Sequence, residues 1–146
     1  MTRTATDFST QIRVRYSEID GQKIVFNSRY LEYADVVLTE FWRWAALDDL
    51  GPEWSAAEFN VVRAELNYSA PFHHDDLIEG RTHVARLGNS SMTMRVELRH
   101  SITGELHTTV DITSVHLNLE TRRPLTIPPR VRERLEALAS PANADS

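Results

Sequence analysis

Between Ser28 and Ala46 the chain repeats like a helix but is too apolar to be an ordinary surface helix, and no other segment constrains the fold as much. Tyr30, Ala34, Val37, Leu38, Phe41 and Ala45 recur at three- and four-residue spacing along one stripe, with Glu32, Asp35, Thr39 and Arg43 opposite. Leu31, Tyr33, Val36, Trp42 and Trp44 widen the apolar arc, so something must cover most of the circumference. Asn27 or Ser28 is expected to cap the first turn with a side-chain oxygen, and Gly51-Pro52 supplies a stop beyond the end.

The other patterns have period two. Ile12, Val14 and Tyr16 alternate with polar neighbours, as do Val62, Ala64, Leu66 and Tyr68 before Pro71. Met92 to Ile102 alternates without a slip, while Leu77 to Leu87 reads as a weaker strand. Val110 and Ile112 hold one phase and Val115, Leu117 and Leu119 the other, which predicts a β-bulge near Thr113-Ser114. Thr103-Gly104 marks a hairpin turn, and Pro128-Pro129 opens a short terminal helix with Val131, Leu135 and Leu138 on its apolar side. Short turns between strands imply antiparallel pairing. The expectation is an α+β domain over residues 1–139, with about five strands wrapped around one long helix and a disordered polar tail over 140–146.

Composition removes several functional classes. The 146 residues include no cysteine, which excludes disulfides, zinc–thiolate sites and a cysteine nucleophile. A net charge of −5 argues against nucleic acid as a partner. No run approaches the roughly 20 apolar residues of a membrane span, and Met1 to Thr10 lacks the apolar run of a secretory signal, so a cytoplasmic protein is expected.

The chemistry concentrates just before the helix. Asp20 lies in a loop seven residues ahead of Asn27, in a segment with the turn signal Asp20-Gly21. Helix starts carry free N–H groups that bind an oxyanion, and a carboxylate facing them could attack a polarised carbonyl or activate water against it. The plainer alternative is that Asp20-Gly21 is only a turn and Glu18 a solvated charge. His73-His74-Asp75-Asp76 reads as a solvated turn, because adjacent residues in extended chain point apart and rarely converge on one metal ion. The other histidines have no metal-ligand spacing, and no metal is implied. Gly88-Asn89-Ser90-Ser91 is a polar turn whose N–H groups could hold a ligand. Arg122-Arg123 and Arg130, Arg132 and Arg134 form a basic cluster, read first as solvated surface and second as a phosphate site.

Arg15-Tyr16-Ser17-Glu18-Ile19-Asp20, followed by Ile24-Val25-Phe26-Asn27-Ser28-Arg29-Tyr30-Leu31-Glu32-Tyr33, resembles the opening of the hotdog-fold acyl-CoA thioesterases, nearest to the 4-hydroxybenzoyl-CoA thioesterase type. Ala64 to Tyr68 running to Pro71, then Gly88 to Met92, fit the same order. The resemblance implies an antiparallel sheet wrapped round one helix. It also implies a homodimer or homotetramer with sites at subunit interfaces, an acyl-CoA or aroyl-CoA substrate and no cofactor. Asp20 stands at the family's catalytic aspartate, as nucleophile or general base, and Asn27 where a backbone N–H receives the thioester oxygen. Phe26, Ser90 and Ser91 stand at substrate-binding positions. The benzoyl enzyme's turn matching Gly88 to Ser90 is basic and this one is neutral, so Arg122 or Arg123 is the substitute for the CoA phosphates. Lys23 stands where many relatives have glycine. The rival readings are a hotdog module that binds CoA esters without hydrolysis, favoured by Lys23, and a hotdog dehydratase, for which no matching histidine–carboxylate pair is seen.

Overall fold

The computed structural model describes residues 4–139, and the tail expected to be disordered lies outside the described residues. Strands β1 (Thr10–Arg13), β2 (Phe59–Tyr68), β3 (Leu77–Leu87), β4 (Ser91–His100) and β5 (Leu106–His116) pair antiparallel in the order β1-β3-β4-β5-β2. Helix α1 (Arg29–Trp44) packs across β1, β3, β4 and β5. A one-turn helix α2 (Pro52–Ser55) and the helix α3 (Pro129–Ala137) complete the α+β arrangement. No helix among the described residues is long and apolar enough to cross a membrane.

Cross-strand rows build the inner face of the sheet: Gly80, Leu98 and Thr108; then Thr82, Val96 and Val110; then Val84, Met94 and Ile112. All of these side chains are buried, and Tyr30, Tyr33, Ala34, Val37 and Phe41 of α1 press onto them. At Gly80 the helix approaches the sheet closely. A Cβ there would sit 2.3 Å from Val37 Cγ2, so only glycine lets the helix axis come this near. The opposite face carries crossed charges, as in the Arg95–Asp111 pair, bidentate at 2.7 Å.

The expectation of cover around most of α1 is met on one side only. Leu31 and Val36 each keep 42% of their surface exposed, because a sheet laid against a helix reaches about half its circumference.

Four local expectations are corrected. First, β1 ends at Arg13, and Tyr16 lies in a 3-10 turn over Tyr16–Glu18, because the Glu18 carboxylate captures the Arg15 N–H and turns the chain. Second, the bulge falls at the expected rung, opposite Thr113 and Ser114, but the extra residue is Val62 on β2. Third, Ser28 is the residue preceding α1, yet it is already helical in backbone and makes no side-chain cap. Fourth, the C-terminal arginines are not merely solvated. Arg134 Nη1 donates to the Ala45 and Ala46 carbonyls at 2.7 Å each, closing the C-terminal end of α1, and Arg132 donates to the Gly88 and Asn89 carbonyls.

Candidate active site

The loop between β1 and α1 is organised by a buried carboxylate. Glu18, only 3% exposed, accepts from the Arg15 N–H at 2.8 Å, the Arg15 guanidinium at 2.8 and 3.2 Å, and the Tyr33 hydroxyl at 2.9 Å. Its own carbonyl accepts the Phe26 N–H at 2.9 Å. Burial pushes the Glu18 carboxyl up. The hydrogen bonds from the Arg15 side chain, the Arg15 backbone and Tyr33, with the Arg15 charge, outweigh it and hold the group below its ordinary range. Burial, followed by the hydrogen bond to Glu18, pushes the Tyr33 phenol far up. Glu18 is therefore a structural anion and not the solvated charge of the plainer sequence reading.

Asp20 sits on the far side of this anchor. Ile19 bridges Val25, the Asp20 N–H bonds the Ile24 carbonyl at 2.9 Å, and the Lys23 N–H bonds the Asp20 carbonyl at 2.9 Å. The half-buried Asp20 side chain accepts the Gln22 N–H through Oδ1 at 2.7 Å, which closes the turn predicted at Asp20-Gly21. Lys23 has φ +66°, the left-handed backbone that glycine adopts freely. The residue that departs from the resemblance thus holds glycine-like geometry at a cost of about 1–2 kcal/mol.

Asp20 lines a cleft of about 560 Å³ with Tyr16, Lys23, His73 and His74. His73 joins the loop through its bridge to Ile24, so the segment read as a solvated turn walls the Asp20 cleft. Asn27 lines a second cleft of about 300 Å³, bounded by Ile24, Val25, Tyr30, Tyr68 and Pro71 and bearing no charged side chain. Ile24 and Val25 line the second cleft, whereas Ile19, Gly21 and Lys23 line the first. Within one chain the carboxylate and the helix start are neighbours in sequence, but they open onto different clefts.

The start of α1 has the donors the sequence led one to seek. The Arg29 N–H bonds the Phe26 carbonyl at 2.9 Å and the Tyr30 N–H reaches the Asn27 carbonyl at 3.4 Å. The Asn27 and Ser28 N–H groups have no acceptor among the described residues. Phe26, half its surface exposed, stands beside them.

Ser90, Ser91 and Arg122 lie elsewhere. The His116 N–H bonds the Ser90 carbonyl, the Ile127 N–H bonds the Asn89 carbonyl, and Arg122 sits in the hairpin that bridges Leu117 to Pro124. All three belong to the end of the sheet where β3 finishes, whereas Asp20 and Asn27 belong to the end where it begins. The 11 residues of β3 separate these ends by about 35 Å. Sequence reasoning did not find Tyr68, whose hydroxyl donates to the Asn27 carbonyl at 3.0 Å. Only its place at the end of an alternating strand hinted at a role. Among the described residues no three histidine or acidic side chains converge on a metal position.

An antiparallel sheet carrying one long helix, with an acidic loop before an open helix start, defines a hotdog-type thioester-handling domain, and comparison with known proteins agrees. Residues 14–135 match the model of the thioesterase-like superfamily, and the chain belongs to that family. It is 29% identical over 133 residues to the long-chain acyl-CoA thioesterase FadM of Escherichia coli (strain K12), covering 88% of this chain and 97% of the relative. The solved structure of YbaW, a probable thioesterase from Escherichia coli, superposes with a TM-score of 0.75 at 27% identity, covering 90% of this chain and 98% of that one. Slr0204, a 1,4-dihydroxy-2-naphthoyl-CoA thioesterase from Synechocystis, shares the fold with a TM-score of 0.80 at 16% identity, over 92% and 98% of the two chains.

Proposed function

We propose that this protein hydrolyses an acyl-CoA or aroyl-CoA thioester to the free acid and CoA. The observation that carries the reading is the Asn27 N–H at the start of α1, without an acceptor among the described residues and borne by a residue that lines a cleft with no charged side chain. A thioester carbonyl seated there would have its oxygen polarised as negative charge develops. Asp20 would then act as nucleophile on the carbonyl carbon or as general base for water. The base route adds water directly and expels CoA thiol; the nucleophile route expels CoA thiol to leave an acyl–Asp20 anhydride, which a water molecule then hydrolyses to the acid and the free carboxylate. Support for the substrate class comes from the family match and from the relative named for long-chain acyl-CoA. The finer likeness to the 4-hydroxybenzoyl-CoA type makes aroyl esters the second class to try. A CoA ester as substrate fits a cytoplasmic enzyme.

The complete site is assigned to a homodimer, alone or doubled into a tetramer. Strand β2 is a free edge of the sheet, with Val61 and Val62 exposed at 63% and 61%. Antiparallel pairing of two β2 edges reverses the second copy, so its 88–91 turn and 117–124 hairpin arrive at the helix-start end of the first. That brings a Ser90-Ser91 backbone to the pantetheine arm and Arg122 to the phosphates.

The test is Asp20→Asn against a panel of aliphatic and aromatic acyl-CoA esters, followed by free thiol release. Loss of turnover with retained ester binding supports the assignment; unchanged turnover ends it. A second reading, a module that binds CoA esters without hydrolysis, is favoured by the separate clefts of Asp20 and Asn27. Calorimetric binding of an ester that the wild-type protein never turns over would establish that reading instead.

A further inference from the structure

Tyr68 ends β2 with about half of its surface exposed (52%), a position from which a tyrosine ordinarily sends its hydroxyl into water. Its hydroxyl instead spans 41 residues of sequence to donate to the Asn27 carbonyl at 3.0 Å. Its ring meets the buried Tyr30 ring edge-on, with centroids 5.1 Å apart, which fixes the direction of that hydroxyl. The first turn of α1 has few other restraints. Ser28 provides no side-chain cap, and among the described residues the other bond to the Asn27 carbonyl is the long 3.4 Å contact from the Tyr30 N–H. The peptide plane before Asn27 is held at the Phe26 carbonyl by the Arg29 N–H, and the plane after it is held by Tyr68.

We infer that Tyr68 is a positioning residue for the thioester oxygen site: by holding the Asn27 carbonyl it fixes the peptide that carries the Ser28 N–H and limits rotation about Asn27, whose own amide lies on the other side of the same Cα. The inference rests on the proposed role of that amide. A donor held in place before the reaction costs no reorganisation when the oxyanion forms, so loosening it weakens transition-state binding more than ground-state binding. The ring still lines the cleft after the hydroxyl is removed, so Tyr68→Phe isolates the orienting contact.

The experiment measures kcat and KM for Tyr68→Phe on the best ester of the panel, with amide hydrogen exchange of the substrate-free protein. Losing one neutral hydrogen bond predicts a fall in kcat of about three- to tenfold with KM within about twofold. Exchange at the Arg29 and Tyr30 amides speeds up several-fold, while core amides on β4 do not change. A rise in KM at constant kcat makes Tyr68 a plain binding contact and overturns the inference, as does unchanged exchange at those two amides. Unchanged kinetics in an otherwise active protein sink this inference alone. A wild-type protein that turns over no ester sinks the hydrolase reading, and the thioester role of Tyr68 with it.

Discussion

The Tyr33 hydroxyl donates to Glu18 Oε1 at 2.9 Å, tying the loop that bears Asp20 to the second turn of α1. The bond is buried and its acceptor is charged, the situation in which a hydrogen bond is worth about 1.5–3 kcal/mol. Tyr33→Phe keeps the ring and leaves one Glu18 oxygen short of a donor. We expect a stability loss of that size by urea denaturation, with turnover falling because the Asp20 turn is no longer held against the helix. Unchanged stability would show that the Arg15 bonds alone hold Glu18.

Glu18 also sets a pH dependence. Its carboxyl is held below the ordinary value of 4.5 in the folded chain, so the unfolded chain binds the proton more tightly. The stabilisation it contributes is therefore complete above about pH 4.5 and disappears as the pH falls through the lower folded value. Arg15 is largely exposed, so solvent screens part of that pair. Glu18→Gln should be less stable than wild type at pH 7, and the gap should narrow as the solution is acidified below pH 4.5. A constant gap between pH 7 and pH 3 would sink the assignment.

At Gly80 the sheet admits α1 without a side chain between them, and a methyl group there meets Val37 at 2.3 Å. Helix α1 must move outward to accept it, separating Phe41 and Tyr33 from the inner rows of the sheet. Overpacking of this kind costs about 1–3 kcal/mol, and we expect Gly80→Ala to lower the denaturation midpoint accordingly. Gly80→Ala combined with Val37→Ala should recover part of the loss, because the clashing methyl group is gone. Full additivity of the two losses would contradict the contact.

That pair also shows why sequence conveyed the elements more readily than their contacts. The stripe of Tyr30, Ala34, Val37 and Phe41 is a local period, legible because helical geometry repeats every few residues. Glycine in β3 reads locally as weakness, and its value appears only when a helix some 40 residues upstream lies against it. Glu18, Arg132 and Arg134 were misjudged for the same reason, since a charged side chain reveals nothing locally about carbonyls and hydroxyls that reach it from other elements. The bulge was located by the phase change in β5, yet the extra residue belongs to β2, because a register slip on a rung can be absorbed by either strand. Asp20 and Asn27 emerged from the spacing of a carboxylate before a helix start and from family likeness. Their separation into two clefts, and the distance to Ser90 and Arg122, depend on chain paths that periodicity does not encode.

Arg134 closes the end of α1 opposite the site. Ala46 follows the helix in left-handed backbone, at φ +56°, a position that favours glycine. The arginine compensates by bonding the carbonyls of Ala45 and Ala46. Arg134→Met keeps the stem and removes the donor, and should cost about 1–3 kcal/mol for carbonyls left short of a partner. Turnover should be unchanged, since the helix start is untouched. A variant as stable as wild type would show that water replaces the guanidinium.

The edge of β2 supplies the sharpest test of assembly. Val61 and Val62 lie exposed on a strand whose outer side is unpaired among the described residues. Edge lysines block strand-to-strand addition because pairing would bury their charge. In Val61→Lys/Val62→Lys, each lost valine contact removes about 1.5–3 kcal/mol of burial at most, enough to weaken dimerisation tenfold or more. Light scattering should then give a monomer mass at concentrations where the proposed wild-type assembly gives a dimer mass. On the proposed assembly, turnover should be lost as well, because the site would no longer receive the 88–91 turn of a second copy. Circular dichroism should stay the same, since both side chains face away from the core. A fully active monomer would mean that one chain holds the whole site, and the assignment of Ser90, Ser91 and Arg122 to the bound ester would fall with it.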